Sequence, residues 1–446
     1  MSVNFYFGKA SCDHHRFLID RLAQKSHVDP QGHFFYLVPN HIKFAAEVKV
    51  LKQLRQTSGN QGLYAQKNVQ TFSFTRLAWY FLKDTPIFKI PRLSKAGNQM
   101  LVAAILQDKQ AELTIFKANQ VQIGFVSQLA AQLSELQQNL ATTAELAQLA
   151  KSPLSANLQA KLHDLTLVYQ EYQQKSQQQF IGNEGVLNLL AENLQQRDLS
   201  HDYFYIAGFS HFNQQERQLV EVLIKKAAEV NLALVGDRES FLTKQDPNSL
   251  FYRSSCLYQA LARSQASAKL LPITNAPKTE STSLLNLEDY WIRNSRLEFV
   301  PTSAAQSTDS LQLFKAADRQ TEVRQVAIKI RQLLQQEQGH YRDFVVMTRH
   351  LDLYRNIIEP IFQQAGIPFF IDLQHEMSSH PLVELISALF DIQANHYQYD
   401  DVMRLLKTEL LLPQTAAGQP LDLGEFRDCL DLTENLILKT GLNGSA

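Results

Sequence analysis

Cysteine is scarce: Cys12, Cys256 and Cys429 are the three in 446 residues, and they form neither a CxxC pair nor an even set. A disulfide-stapled design is thereby excluded, and a reducing, cytoplasmic setting is expected. There is no run of about 18 uncharged apolar residues, so no membrane span is expected. The first ten residues, Met1 to Ala10, lack a basic stretch leading into an apolar core and a small-residue cleavage site. A secretory leader is therefore not expected either. Net charge is almost absent too, at −1.

That near-neutrality hides a polarity along the chain. Between Met1 and Lys95 there are 14 Lys and Arg against 5 Asp and Glu, a balance of +9 that leaves −10 for the remainder. A basic segment on a neutral protein points to a polyanionic partner, although a solvated lysine-rich face gives the same count. The bulk composition, 45% hydrophobic and 20% charged, is that of a globular protein. A chain of this length exceeds one ordinary core, so two or three domains are expected.

Apolar runs alternate with amphipathic helices from the start. Val3–Phe7, Phe34–Val38 and Val69–Phe72 read as strands, with helices over Asp13–Lys25, Ala45–Leu54 and Phe74–Leu82 between and after them. Strands separated by helices need crossover connections, which implies a parallel sheet. From Ser94 to Gln196 the chain turns rich in Gln, Ala and Leu, and its apolar spacing becomes helical. Val126, Leu129, Leu133, Leu136 and Leu140 make one stripe; Leu158, Leu162, Leu165 and Tyr169 make another. The intact period favours packed helices over low-complexity disorder.

Sheet pattern resumes at Tyr203–Ile206, followed by a helix over Gln214–Ala228 and a strand at Asn231–Val235. Gln245–Ser310 reads as an irregular linker with a short helix near Tyr258. A second βαβ unit is expected beyond it, with strands at Leu311–Lys315, Phe344–Met347 and Phe369–Ile371. Helices striped by Val323, Val326, Ala327, Ile330, Leu333 and Leu334, and over Leu351–Gln364, would connect them. The expected organisation is a first parallel-sheet lobe in two parts, 1–95 and 201–305, split by a helical insertion at 96–200. A second lobe would span 306–390, and a further helical insertion would begin at 391–446.

Particular stretches narrow the assignment. FYLVPNHIKFAAE (Phe35–Glu47), TFSFTRLAWYFL (Thr71–Leu82), YIAGFSHFNQQE (Tyr205–Glu216), DRQTEVRQVAIKIRQLL (Asp318–Leu334) and the run from Tyr341 to Asp372 occur in this order, closed by HPLVELI (His380–Ile386). In combination they resemble the RexB/AddB family, the B subunits of bacterial ATP-dependent helicase/deoxyribonucleases that process DNA ends. The resemblance implies an α/β fold of two RecA-like parallel-sheet lobes of the superfamily 1 helicase type, with helical insertions. It also implies a heterodimer with the helicase-nuclease A subunit, and single- and double-stranded DNA ends as the substrate. A magnesium-dependent nuclease domain, with an iron-sulfur cluster in some members, belongs to a later part of the family's chain and has no residues here.

Nucleotide hydrolysis needs a loop of the form GxxxxGK[ST], whose backbone and lysine hold phosphates while its hydroxyl meets magnesium. After the first strand this chain carries Gly8, Lys9, Ala10, Ser11, Cys12, Asp13, His14 and His15, without the second glycine or the Lys-Ser pair. The strand that should end in Asp-Glu, to hold magnesium and position water, instead ends Ile206, Ala207, Gly208, Phe209. In the family pattern Asp237 of LALVGDRES and Arg349 of the Met347–Arg349 tripeptide are remnants of the same machinery. Gly8, Lys9, Ser11, Asp237 and Arg349 are therefore expected to form a vestigial nucleotide site.

The DNA-contacting half of the helicase plan survives. Single strands are held by cationic grooves with aromatic platforms, because every base offers a π-face. Phe74, Arg76 and Trp79 bring two rings and a guanidinium from one helix, with Arg76 and Trp79 three residues apart on one face. In the resemblance, His41, Lys43 and Phe209 join them on the surface that scans for the recombination hotspot Chi. Asn40, His41 and Lys43 depart from the commonest family residues, which leaves the recognised sequence open. The bland alternatives are plain: Trp79 on an amphipathic helix is also a natural core residue. His14-His15 lacks a spaced third ligand, so no metal is expected. His380-Pro381 reads as a helix start. Two other functions stay in view, an active motor using a degenerate phosphate loop and a scaffold whose helical insertion docks the partner.

Overall fold

A computed structural model describes residues 2–57, 67–86, 90, 93–119, 122–179, 185–243, 246–263, 268–279, 281–298, 311–371, 377, 379–415 and 418–444. The chain divides into two compact units, Met1–Gln312 and Leu313–Ala446.

The first unit is built on six strands: β1 (Ser2–Gly8), β2 (His33–Leu37), β3 (Val69–Phe72), β4 (Leu199–Ile206), β5 (Ala227–Val235) and β6 (Lys269–Pro272). They lie in the order β3-β2-β4-β5-β1-β6, and every pairing is parallel. Helices cover both faces, so the central strands bury both sides and alternate rings in two directions. On one face Tyr6, Phe34, Tyr36 and Tyr205 pack on α1 (His14–Val28) and α2 (Lys43–Thr57). On the other, Phe5, Phe35, Leu37, Phe204 and Leu232 pack on α3 (Phe74–Leu82) and on helices that come later in the chain.

Between β3 and β4 the chain forms α4 (Lys95–Asp108), α5 (Ile123–Gln138), α6 (Thr143–Ala150), α7 (Ala156–Gln179) and α8 (Val186–Gln196). The expected stripes close a separate core, in which Val126, Leu129 and Leu133 meet Leu165 and Tyr169. The wholly buried Asp164 carboxylate staples it by accepting N–H groups from Thr114, Ile115 and Phe116 at 2.7–3.0 Å. The last of these helices differs: Leu187, Leu190 and Leu194 of α8 join the sheet's own core. After β4 comes α9 (Gln214–Lys226), which stops two residues short of the expected Ala228 because Ala227 already starts β5. Then come α10 (Arg238–Leu242), α11 (Tyr252–Ala262) and α12 (Thr282–Ser295).

Two expectations are corrected. The supposed linker at 245–310 is structured over much of its described length: besides the helix expected near Tyr258, which is α11, it supplies the edge strand β6 and α12. Weak apolar period hid β6, because an edge strand of four residues needs few buried side chains. In the second unit, α13 (Arg319–Gln335) and α14 (Arg355–Gln364) form as expected and pack through Val323, Ala327, Ile330, Ile358 and Phe362. The strands expected at Leu311–Lys315, Phe344–Met347 and Phe369–Ile371 are not formed; none is present among the described residues of this unit. Leu313, Met347 and Phe370 stand 102%, 88% and 88% exposed. Period-2 apolar sequence is a preference for a pleated surface, and a ladder exists only where neighbouring strands accept and donate. The unit continues with α15 (Pro381–Ala394), α16 (Tyr399–Leu406) and α17 (Leu423–Thr440). His380 caps α15, its Nδ1 accepting the Leu382 N–H at 3.2 Å, and Pro381 occupies the first turn as expected. No helix among the described residues is long and apolar enough to cross a membrane.

Candidate functional site

In parallel sheets, ligands lodge outside the carboxyl ends of strands where adjacent connections leave to opposite faces. The first unit has two such places. The loop after β2 leads to α2 on one face, whereas the loops after its neighbours β3 and β4 lead to α3 and α9 on the other. Likewise the loop after β1 leads to α1, whereas the loop after β5 leads to α10 and α11 on the opposite face.

The first crevice collects most of the residues expected to meet DNA. Ladder bonds run past the strand ends, from Val38 N–H to Phe72 O at 3.0 Å and from Ala207 N–H to Leu37 O at 3.1 Å, so the three loops start level. Pro39 leads into a short helical turn, Asn40–Ile42, that leaves His41 exposed and Lys43 half-buried at the start of α2. Gly208 turns the β4 loop with φ +83, and a side chain there would meet Pro39 and Ile42 at 3.1 Å. Only glycine reconciles that backbone with that contact. Ser73 caps α3 by accepting the Arg76 N–H, and Arg76 itself projects into solvent. Trp79 is half-buried against the sheet core.

Phe74 needs a different role from the one expected. It is 4% exposed, so its face is closed to a base. Its ring lies 5.1 Å from Phe209 and 5.5 Å from Phe212, and those two lie 5.2 Å apart. Phe74 is thus the buried foot of an aromatic cluster whose half-buried members, Phe209 and Phe212, reach the surface. Sequence reasoning missed Phe212; the signal was its spacing, three residues after Phe209 and one before Asn213. Asn213 caps α9 in a reciprocal box with Glu216, which fixes the end of that loop.

The second crevice holds Gly8, Lys9, Ser11 and Asp237, and it is filled. A side chain at Gly8 would meet Cys12 Cβ at 3.1 Å and Ile273 Cβ at 3.3 Å, so this glycine serves tight packing, not an open cradle. Asn275 Nδ2 donates to Asp13 O at 2.8 Å and Lys278 N–H to Ser11 O at 2.7 Å, closing residues 275–278 over the loop. From α12, Asp289 pairs with Lys9 Nζ at 2.5 Å and the Glu288 carboxylate accepts the Ser11 N–H at 3.0 Å. Anionic oxygens therefore already sit where a phosphate would have to bind. His14 is buried with its Nε2 3.0 Å from Gly8 O and its Nδ1 2.9 Å from Cys12 O, tying the loop's two ends. Burial holds its imidazole below the ordinary value, against the pull of those carbonyls. Asp237 is held by Arg296 Nη2 at 2.6 and 2.5 Å and accepts the Ser240 N–H at 3.0 Å. Burial pushes its carboxyl up, but Ser240 and Arg296 outweigh this and leave it below the usual range. Sequence reasoning missed Glu288, Asp289 and Arg296 because they fall in the supposed linker. Arg349 lies in the second unit, exposed in an irregular segment.

Comparison with known proteins shows the family. The family model described as "ADDB, N-terminal" matches residues 5–288. A protein of Levilactobacillus brevis is 44% identical over 451 residues, and one of Lactiplantibacillus plantarum 41% identical over 456. One of Enterococcus faecalis is 37% identical over 465. All three are named as the B subunit of an ATP-dependent helicase/deoxyribonuclease, and the alignments cover 100% of this chain. The chain spans only 38–39% of the length of these relatives. It belongs to the family of ATP-dependent helicase/deoxyribonuclease B subunits, and corresponds to their AddB-type N-terminal part.

Proposed function

We propose that this chain is a DNA-holding, catalytically silent helicase-like portion of a B subunit. In this reading it works beside the helicase-nuclease A subunit in the cytoplasm, on the ends of broken DNA, and scans the emerging single strand for Chi. The observation that carries the silent half is the occupied loop after β1, where Lys9 and the Ser11 N–H are spent on Asp289 and Glu288. The DNA half is supported by the adjoining loops after β2, β3 and β4, which carry His41, Lys43, Arg76 and Phe209, with His41 and Arg76 exposed. Phe209 and Phe212 offer rings for bases, and the cations offer counterion release on phosphate binding. Magnesium, and in some relatives an iron-sulfur cluster, would belong to a nuclease domain outside this chain.

Filter binding of single-stranded DNA across a salt series tests the reading together with phosphate release from ATP. Affinity that falls steeply with salt, without DNA-stimulated phosphate release, is the expected outcome. Phosphate release abolished by Lys9→Ala would instead select a motor with a degenerate loop. Partner binding without any DNA affinity would select a scaffold.

A further inference from the structure

A ring that stacks on a base needs a free face, and the first crevice is short of them. Phe74 is closed, while Trp79, Phe209 and Phe212 are half-buried against the sheet's core. Phe44, at the start of α2, is the opposite case. It stands 80% exposed, more than any other Phe, Tyr or Trp among the described residues of the first unit. Folding does not call for it there: α2 is seated by Ala46, Val50 and Leu54, and Phe44 precedes that stripe by two residues, more than half a turn of helix.

A lone exposed ring is common on protein surfaces. Position sets this one apart. Ile42, two residues earlier, marks where the β2 loop meets the β4 loop, since a side chain at Gly208, next to Phe209, would meet it at 3.1 Å. Two residues of chain span at most about 7 Å, so Phe44 borders the loops that form the crevice. The turn Asn40–Ile42 runs straight into α2, and residues three apart in such a run share a side. The exposed His41 and Phe44 therefore stand next to each other, an imidazole and a phenyl ring. The first turn of α2 holds no acidic residue, and the exposed Lys49 and Lys52 follow further along, with Glu47 the helix's one acid. Phosphates flanking a base on that ring would meet the positive end of a helix. We infer that Phe44, with His41 beside it, is a base-stacking platform at the mouth of the first crevice, taking one nucleobase of a single strand. It rests on the reading that this crevice holds DNA and names a contact within it. Stacking accepts any base, because each has a π-face, so the platform contributes grip and not sequence choice.

Two probes test this on the whole chain: an oligothymidylate, and an oligomer of the same length and phosphates whose sugars are abasic. Phe44→Ala should weaken oligothymidylate binding about tenfold, within the range of one lost stack. Binding of the abasic oligomer and thermal unfolding should not change, as befits a side chain that is 80% exposed. Phe44→Tyr should bind oligothymidylate as the parent does, and Phe44→Leu should be as weak as Phe44→Ala. The platform is refuted by an equal loss on both probes, by a leucine variant that matches the parent, or by an alanine variant that binds oligothymidylate as tightly as the parent. A parent chain with no affinity for oligothymidylate would overturn the DNA reading and the platform with it, so the two failures are told apart.

Discussion

The two crevices at the carboxyl edge of one sheet arise from the same topological rule but end in opposite chemical states. At β2, with β3 and β4, the loops leave His41 and Arg76 exposed beside the half-buried rings of Phe209 and Phe212; at β1 and β5, an acidic helix covers the loop and neutralises it. Fold alone therefore does not make a site. The segments that come after the sheet in sequence decide which crevice stays open, and here α12 arrives after the last strand to close one.

The largest effect should come from the foot of the aromatic cluster. Phe74→Ala removes a core ring that Phe209 and Phe212 rest on, and should cost about 3–5 kcal/mol of stability in denaturant unfolding. If Phe74 instead met bases directly, DNA affinity would drop with stability unchanged, and the contrast between the buried foot and the half-buried rings would be lost. A matched pair of glycine changes comes next. Gly208→Ala forces a side chain into a φ of +83 and against Pro39 and Ile42, which should cost about 2 kcal/mol and also weaken DNA binding. Gly8→Ala meets comparably close neighbours at ordinary φ and should cost about 1–3 kcal/mol with DNA affinity intact. Equal losses of affinity from both changes would erase the division between the crevices.

Much of this edge was legible in advance, and the reasons it was not legible elsewhere are physical. Strands β1 to β5 announced themselves because a two-faced sheet demands nearly continuous apolar runs. The loss of the phosphate-loop and Asp-Glu residues was equally plain, because that chemistry tolerates few substitutes. Phe74 misled: an aromatic beside Arg76 reads the same whether it points to a base or to Leu77 and Ala78 in the core. Glu288 and Asp289 were invisible, since a pair of surface acids carries no period and its partner, Lys9, is 280 residues away. The three strands expected after residue 310 show the opposite failure, where local preference was read correctly but the pairing it needs is not formed.

Binding experiments sharpen the comparison further. Phe209→Ala should weaken single-stranded DNA binding by about 1–3 kcal/mol, the worth of one stacked base, with the salt slope unchanged. Arg76→Ala should instead lower the slope of log affinity against log salt by about 1. Lys9→Ala, although it also removes a cation from the basic first segment, should leave that slope where it was, because its charge is already spent on Asp289. A slope that falls equally for Lys9 and Arg76 would mean that both crevices face DNA.

The smallest expected effect concerns acid. Asp237 sits below the ordinary carboxylate range in the folded chain, because Ser240 and Arg296 overcome the cost of its burial. A carboxyl depressed by folding contributes stability that is whole above its unfolded value, about 3.9, and is lost as pH falls through the folded value. Arg296→Gln removes the arginine's share of that contribution at neutral pH and leaves the Ser240 share, so the variant should melt about 1–2 °C below the parent there. As pH falls below about 4 the two melting temperatures should converge. The buried imidazole of His14 also charges at acid pH and lowers both curves, but it is common to parent and variant and cancels in their difference. A gap that stays constant down to acid pH would mean that Arg296 holds α12 by packing of its stem and not by charge, and the filled crevice would then be closed in the same way as the rest of the core.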